Sequence, residues 1–287
     1  MTTFRFNFSA GDEDNIIVEE TKETTEWLNS EEVVPDKQIN NLDDIVTHAK
    51  MFACGEVEIG HVVVSEALTS IEESGFKNAI KLAKKEHSDL VAGIYEGGLK
   101  IWECTYDLIQ YLTENHEDIK FDQSKVLDLG CGAGILGIYA FLKGSDVTFQ
   151  DYNKEVLEHV TIPNVLLNIE EEDKREKEIQ RCKFYSGDWD SFNKLLPRTD
   201  VYNVILTSET IYNECNYDKL ITLFMDRLKN NGAVYVAAKT YYFGVGGGIR
   251  QFEQRINKNG ELKSEVCWKS AGGIQREILK ITLIKPQ

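Results

Sequence analysis

The chain has 287 residues, of which 42% are hydrophobic and 10% aromatic, enough for one sizeable α/β domain with an appendage. Its formal net charge of −16 argues against direct nucleic-acid binding and suits either solubility or a basic protein partner. The six cysteines and five histidines follow no metal-ligand spacing, so we expect neither a metal site nor a disulfide framework. No run is long and apolar enough for a signal peptide or a bilayer span, so we expect an intracellular protein without membrane association.

Two segments precede the main domain. Residues 1–45 are rich in Asp and Glu and offer few side chains to bury, so the sequence predicts an acidic, largely disordered extension. Residues 46–89 contain a β-rich run from Glu56 to Leu68 and a helical pattern from Ser74 to Lys85. We interpret them as a small α/β pre-domain or lid.

The stretch from Val126 to Gly137 organises the rest of the chain. Its apolar start reads as a buried strand, and Gly130 and Gly132 then allow a tight turn with close approach of a ligand to the backbone. The predicted helix Ile135–Leu142 directs its free N–H groups and positive dipole end at that ligand. This pattern predicts a nucleotide-type cofactor site on a doubly wound sheet.

Asp128 and Asp151 indicate which cofactor is bound. The glycine spacing alone also fits a dinucleotide fingerprint, but a carboxylate at Asp128 would repel a pyrophosphate and can accept hydrogen bonds from an ammonium group. S-adenosylmethionine has both an amino group and an adenosine. Asp151 ends the predicted strand Asp146–Asp151, where a carboxylate can accept both ribose hydroxyls, and Tyr152 follows it beside the adenine. The sequence therefore favours S-adenosylmethionine over a dinucleotide.

Two further strand ends point at the same edge of the sheet. After the strand Cys182–Tyr185, Asp188 is expected to accept from the adenine amine, although Asp-Trp is also typical of an ordinary turn. After the strand Val201–Leu206, Glu209 and Tyr212 lie where the transferred methyl group should sit.

Residues 90–287 are interpreted as one methyltransferase domain. Its remaining predicted elements are a helix over 217–229, a strand Ala233–Ala238, a helix Ile249–Ile256 and an antiparallel pair, Glu261–Trp268 and Glu277–Ile284, which complete a seven-stranded sheet. A helix containing Trp102 either caps the cofactor crevice, with Thr105 reaching inward, or buries its indole in the core. The aromatic run ending in Tyr242, Phe243 and Gly244 either forms a mobile substrate-binding rim or shields the sheet.

Seven motifs resemble one family. They are Tyr95–Thr105 (YEGGLKIWECT), Val126–Gly132 (VLDLGCG), Phe149–Asn153 (FQDYN), Thr161–Val165 (TIPNV), Ser186–Trp189 (SGDW), Leu206–Asn213 (LTSETIYN) and Tyr242–Gly248 (YFGVGGG). Together they resemble the protein-histidine N-methyltransferases of the seven-β-strand methyltransferase-like group, the type that modifies a large-subunit ribosomal protein. The VLDLGCG motif is generic to class I methyltransferases, whereas the others are more specific.

The resemblance implies a class I, Rossmann-like fold and a set of S-adenosylmethionine contacts. These contacts are Ile101, Trp102, Glu103, Cys104, Thr105, Gly130, Gln150, Asp151, Tyr152, Gly187, Asp188, Trp189 and Ser208, to which the strand-end argument adds Asp128 and Gly132. The resemblance also implies methylation of the tele nitrogen of a histidine in a large-subunit ribosomal protein. We expect a monomer that acts in the cytoplasm and nucleus.

The expected reaction is an in-line displacement in which an imidazole nitrogen attacks the sulfonium methyl group. Histidine is largely neutral near pH 7, so Glu209 or Tyr212 would need only to hold the distal ring N–H and accept its proton. Lysine methylation on the same fold stays open, as does a cofactor-binding ribosome-assembly chaperone. A dinucleotide oxidoreductase is disfavoured because no acid–base pair supports it.

Overall fold

The structure is a computed structural model that describes residues 27–46, 48–63 and 94–284. Ten strands lie in these ranges: β1 Glu31–Glu32, β2 Ala49–Cys54, β3 Val57–Val62, β4 Lys125–Leu129, β5 Asp146–Asp151, β6 Cys182–Ser186, β7 Tyr202–Ser208, β8 Leu228–Lys239, β9 Leu262–Lys269 and β10 Arg276–Leu283. The main helices there are α1 Asp36–Asn40, α2 Leu42–Ile45, α3 Glu103–Glu114, α4 Ile135–Leu142, α5 (Lys154–Val156, a π-helical turn Leu157–Thr161, and Ile162–Leu167), α6 Arg175–Glu178, α7 Trp189–Leu195, α8 Tyr217–Arg227 and α9 Ile249–Asn259.

The main sheet has eight strands in the order β1–β6–β5–β4–β7–β8–β10–β9. Strands β4 to β8 are parallel, and β10 and β9 continue the sheet antiparallel. The strand order reverses between β4 and β7, where open α/β sheets form their ligand crevice at the carboxyl ends of the strands. The predicted Rossmann-like fold is therefore confirmed.

An eighth strand was not predicted. β1 pairs antiparallel with β6, placing Glu31 opposite Ser186. Both glutamates of β1 are exposed, so the pairing rests on backbone hydrogen bonds. The sequence of β1 therefore lacks the hydrophobic pattern from which a strand is predicted. The acidic extension thus joins the sheet at its edge.

Apolar side chains cover both faces of the sheet. One layer includes Leu108 of α3 and Phe149 of β5, and the other includes Phe224 of α8 and Phe252 of α9. The helix α4 lies so close to β5 that a Cβ on Gly137 would come within 2.2 Å of the Phe149 ring. The third glycine of the motif therefore serves helix–strand packing.

One predicted helix ends earlier in the structure. The helix expected over 217–229 ends at Arg227, and β8 begins at Leu228, because Leu228 already pairs with Tyr202 of β7 before the register shifts. A proline in the helical region 154–167 is expected to disrupt a regular helix. Pro163 nevertheless lies within α5, because a π-helical turn precedes it and accommodates the missing N–H.

The segment before the main domain is partly ordered. Residues 27–45, within the extension expected to be largely disordered, bury Val33 and Leu42, and the Gln38 side-chain amide donates to the Glu158 carbonyl at 3.0 Å. These few anchors order the segment in spite of its charge. Residues 1–26 lie outside the described residues.

The region 46–89 is described only up to residue 63. Its strands β2 and β3 form a hairpin that packs on the helical layer, where Asn164 accepts from the Val62 N–H at 2.8 Å. The Phe52 and Tyr106 rings lie 4.4 Å apart and join the hairpin to α3. The helix predicted from Ser74 to Lys85 lies outside the described residues.

Candidate active site

The turn after β4 forms a glycine cradle. Gly130 and Gly132 have φ of +64° and +50°, conformations that L side chains rarely adopt. A Cβ on Gly130 would lie 2.6 Å from the Thr210 side chain, and one on Gly132 would lie 2.9 Å from the Gly98 carbonyl oxygen. Only glycine fits these positions, and the backbone there is open to a ligand.

Two buried aspartates flank this cradle. Asp128 Oδ2 accepts from the Gly137 N–H at 2.8 Å, and Asp151 Oδ2 accepts from the Gly132 N–H at 2.8 Å. Burial raises the pKa of Asp128 to about 8 and that of Asp151 to about 6, in spite of these hydrogen bonds. A cation beside either carboxylate would offset the cost of its charge. The cleft is therefore suited to a positively charged ligand.

The end of β6 supplies one wall of the cleft. The Trp189 indole N–H donates to Gln150 Oε1 at 2.8 Å, and Gln150 Nε2 donates to the Gly187 carbonyl at 2.7 Å. Gln150 is fully buried behind the cleft lining, so its position is that of a support for Trp189 and Gly187.

Asp188 differs from its predicted role in one respect. Its carboxylate caps α7 by accepting from the Asp190 N–H at 3.0 Å and pairs with Lys219 at 2.5 Å. Its backbone N–H donates to the Leu28 carbonyl. Asp188 lines the cleft, but part of its hydrogen-bonding capacity is committed within the protein.

The segment from Ile94 to Trp102 covers the cleft from the other side. The Asn153 side chain fixes it, accepting from the Glu96 N–H at 3.2 Å and donating to the Ile94 carbonyl at 2.8 Å. The Trp102 indole N–H donates to the Gly97 carbonyl at 3.2 Å, and its half-buried ring lines the cleft. The structure therefore places Trp102 at the cofactor crevice rather than in the core.

The residues that follow Trp102 are divided between cleft, core and solvent. Thr105 lines the cleft and its hydroxyl lies 3.2 Å from that of Ser208. Cys104 is fully buried beneath the cleft, and the Glu103 side chain is 63% exposed near Lys239. Of the predicted contacts in this helix, Cys104 and Glu103 are not brought to the cleft surface.

The two predicted catalytic residues occupy different environments. Glu209 is buried with a φ of +59°, and its Oε2 accepts from the Tyr242 hydroxyl at 2.5 Å. Its Oε1 lies 3.8 Å from Lys239 Nζ and has no hydrogen-bond partner among the described residues. Tyr212 instead donates its hydroxyl to Glu96 Oε2, and both line the cleft.

The predicted substrate-binding residues do not act as one surface. Tyr242 is buried against Glu209, whereas Phe243 is 86% exposed. Gly244 has a φ of +86° with open space around its Cβ position. The aromatic loop thus both supports the site and presents an exposed apolar tip.

The structure gathers most of the predicted residues in a single cleft. The predicted residues that line it are Ile101, Trp102, Thr105, Asp128, Gly130, Gly132, Asp151, Tyr152, Gly187, Asp188, Trp189, Ser208, Glu209 and Tyr212. The sequence argument missed Trp27, Glu96, Lys100, Thr210 and Asn216, which also line it. Trp27 is the first large aromatic after a long acidic run, and this is the only signal that sets it apart.

The cleft fits the expected cofactor. It encloses about 860 Å³ including its solvent-open part, within the size range of small-molecule sites. Buried carboxylates suit the sulfonium and ammonium charges, and the tryptophan walls suit an adenosine.

Among the described residues, no group of three or more His, Cys, Asp or Glu side chains has metal-binding geometry. No helix in the same part of the chain is long and apolar enough to cross a membrane.

Comparisons with known proteins agree with this geometry. A family model described as "Lysine methyltransferase" matches residues 85–244. The histidine protein methyltransferase 1 homologue of Mus musculus is 36% identical over 288 residues, covering 93% of this chain and 78% of the relative. The Dictyostelium discoideum homologue is 45% identical over 199 residues, covering 69% of this chain and 61% of the relative. The chain therefore spans between about three fifths and four fifths of these relatives' lengths.

A solved structure shares the fold. SMU.776, a putative methyltransferase complexed with SAH, superposes with a TM-score of 0.52 at 13% identity, covering 82% of this chain and 56% of that protein. The sequence matches are much closer than this structural one and decide the family. The chain belongs to the family of histidine protein methyltransferases.

Proposed function

We propose that the protein transfers a methyl group from S-adenosylmethionine to the tele nitrogen of a histidine imidazole in a protein substrate. S-adenosylmethionine is the cofactor of this methyltransferase family, and when bound it supplies a methyl group on a positively charged sulfur. The observation that carries the proposal is the 36% identity to a histidine protein methyltransferase over 93% of the chain. The cleft adds an acid-lined site at the carboxyl ends of the parallel strands.

Tyr212 and Glu96 are proposed to manage the proton of the imidazole. Tyr212 follows β7, Glu96 lies in the covering segment, and the hydroxyl of one donates to the carboxylate of the other. The tyrosine oxygen can then accept a hydrogen bond from the ring N–H that is not methylated. This contact selects the tautomer whose other nitrogen is nucleophilic, and it gives the departing proton a path from the ring to Glu96.

Glu209 is proposed to support the site from behind. The Tyr242 hydroxyl donates to its Oε2, and Lys239 Nζ lies 3.8 Å from its Oε1. Together they fix the strained backbone at Glu209 and hence the path of the chain to Tyr212. In this arrangement Glu209 positions Tyr212 rather than touching the substrate.

A basic protein substrate is proposed to dock beside the exposed tip of the aromatic loop. Phe243 and Val245 are 86% and 50% exposed there, and the net charge of −16 favours a basic partner. The negative charge and the family resemblance support a basic, large-subunit ribosomal protein as the substrate. That the enzyme acts as a monomer in the cytoplasm and nucleus is part of the same proposal.

The test is a methylation assay with isotopically labelled S-adenosylmethionine and purified large-subunit ribosomal proteins. Mass spectrometry of hydrolysed products separates tele-methylhistidine from its ring isomer and from methyllysine. We expect tele-methylhistidine, and we expect Tyr212→Phe and Glu96→Gln each to lower kcat about tenfold to a hundredfold. The matched control Tyr106→Phe, whose 42% exposed ring packs on Phe52 and does not line the cleft, should leave kcat unchanged. Wild-type turnover in both cleft variants would contradict the proton path.

Lysine is the second candidate acceptor, because the matching family model is described as a lysine methyltransferase. A lysine with its usual pKa near 10.4 must lose a proton before it reacts, so lysine turnover should rise steeply with pH through the neutral range. Histidine turnover should level off above about pH 7. Methyllysine as the sole product would replace the histidine proposal.

A further inference from the structure

Residues 27–33, here called the strap, are fixed across the end of β6 at the cleft. The Ser30 N–H donates to Ser191 Oγ at 2.9 Å, and the Val33 N–H donates to the Phe184 carbonyl at 2.8 Å. The Leu28 carbonyl accepts from the Asp188 N–H at 2.9 Å. All three bonds use backbone groups of the strap, so they are independent of its side chains.

Gly187 shows how closely the strap approaches the cleft. Its φ is +95°, and a Cβ there would lie 2.5 Å from the Asn29 carbonyl oxygen and 2.6 Å from the Ser30 Cα. These obstacles are backbone atoms and cannot rotate away. The glycine that was expected to contact the cofactor is therefore also the residue that admits the strap.

The first residue of the strap, Trp27, is held in a defined orientation. Its ring stands perpendicular to that of Tyr152 with centroids 6.0 Å apart. Lys219 Nζ lies 3.6 Å from the indole centroid and also pairs with Asp188 at 2.5 Å. The indole is thus packed against two neighbours and also lines the cleft.

We propose that Trp27 is a cofactor-binding residue whose indole forms the outer wall for the adenosine end of the ligand. This inference rests on the proposed function, since it takes S-adenosylmethionine as the ligand. Tyr152, Gly187 and Asp188 mark the adenosine end, because they follow β5 and β6 at the positions expected for ribose and adenine contacts. Trp27 packs against Tyr152, is linked to Asp188 through Lys219, and offers a flat, apolar surface to a purine.

The test compares Trp27→Ala with the matched control Leu28→Ala. The Leu28 side chain is 48% exposed and its hydrogen bonds use backbone atoms, so the control should leave ligand affinity unchanged. By calorimetric titration, Trp27→Ala should weaken binding of S-adenosylhomocysteine about tenfold, as expected for loss of an aromatic contact. Binding of adenosine alone should weaken by the same factor in Trp27→Ala. Trp27→Phe should recover most of the affinity for both ligands.

The outcomes separate this inference from the proposed function. A wild-type protein that binds neither S-adenosylmethionine nor S-adenosylhomocysteine would overturn the proposed function. A wild-type protein that binds them while Trp27→Ala binds equally well would overturn only the role of Trp27. The role of Trp27 would also be overturned if Leu28→Ala lost as much ligand affinity as Trp27→Ala. The same holds if Trp27→Ala left the affinity for adenosine unchanged. The melting temperature without ligand is measured for each variant, and tight adenosine binding by a destabilised Trp27→Ala protein counts against the proposal.

Discussion

The two sides of the cleft are built in opposite ways. The cradle side, Asp128 to Gly134 with Asp151, comes from one short stretch of chain between the ends of β4 and β5. The cover side comes from two remote segments, the strap at residues 27–33 and the loop at 94–102. The cradle is fixed by parallel strand pairing on both sides of β4, whereas the cover is attached by the two-residue pairing of β1 at the sheet edge and by a few hydrogen bonds to side chains such as Asn153 and Tyr152.

This difference teaches how binding and chemistry are divided. The two carboxylates of the cradle, Asp128 and Asp151, lie in strands of the sheet and accept from backbone N–H groups of the turn, so the cradle suits the cofactor. The proposed proton path joins the two sides, since Glu96 belongs to the cover and Tyr212 follows a central strand. The reacting site is therefore complete only when the cover is in place.

The largest expected effect is at the point where cradle and cover touch. Gly132→Ala combines a φ of +50° with a contact of 2.9 Å to the Gly98 carbonyl oxygen, so it disturbs both sides at once. Affinity for S-adenosylhomocysteine, measured by calorimetry, should fall by roughly a hundredfold or more, equivalent to a few kcal/mol.

Gly273→Ala is the matched control for this variant. Gly273 has a φ of +71° but no atom within 4 Å of its Cβ position, so the substitution introduces the same backbone strain without a clash. It should cost about 1 kcal/mol of stability and leave affinity unchanged. Equal affinity losses in the two variants would show that strain, and not the fit of the cradle, controls binding.

The second expected effect is a pH dependence that belongs to the cradle. Folding raises the pKa of Asp128 from 3.8 to about 8 by burial, so the folded state binds a proton that the unfolded state releases. The contribution of Asp128 to the free energy of unfolding is fully present below about pH 4 and is lost as the pH rises through 8. Between these values the free energy of unfolding falls by at most about 1.4 kcal/mol per pH unit. Asp128→Asn should flatten this slope in urea unfolding between pH 6 and pH 8, above the pKa of about 6 of Asp151, which adds to the slope at lower pH.

The exposed Asp118→Asn variant is the control and should keep the wild-type slope. Bound S-adenosylmethionine should also flatten the slope, because its cationic groups favour the ionised carboxylate. A wild-type protein whose stability is constant over this range would contradict the burial effect at Asp128.

The smallest expected effect is at the attachment of the cover. The Tyr152 hydroxyl accepts from the Leu28 N–H at 3.2 Å, a long hydrogen bond, and the other backbone bonds of the strap do not depend on it. Tyr152→Phe should therefore weaken binding of S-adenosylhomocysteine only about threefold. A loss as large as that of Gly132→Ala would mean that cradle and cover contribute equally, and the distinction between them would fail.

The sequence by itself determined the cradle and the class of fold. A strand, a glycine turn and a helix are encoded within about twelve consecutive residues, and the acids at strand ends follow from the spacing of apolar runs. Because the carboxyl ends of parallel strands meet at one edge, Asp128, Asp151 and Glu209 could be assigned to one site without knowing the tertiary contacts. These patterns lie within short stretches of the chain, so they can be recognised in a single sequence.

Only the tertiary structure decided how the cover and the side-chain pairs are assembled. Tyr212 and Glu96 are 116 residues apart, and Tyr152 and Leu28 are 124 apart, so no periodicity links them. Glu209 was assigned to the site from its strand end, but its burial against Tyr242 depends on how β8 and the aromatic loop pack behind it. The strap could not be predicted from the sequence either. Its pairing uses backbone groups, which every residue except proline carries alike.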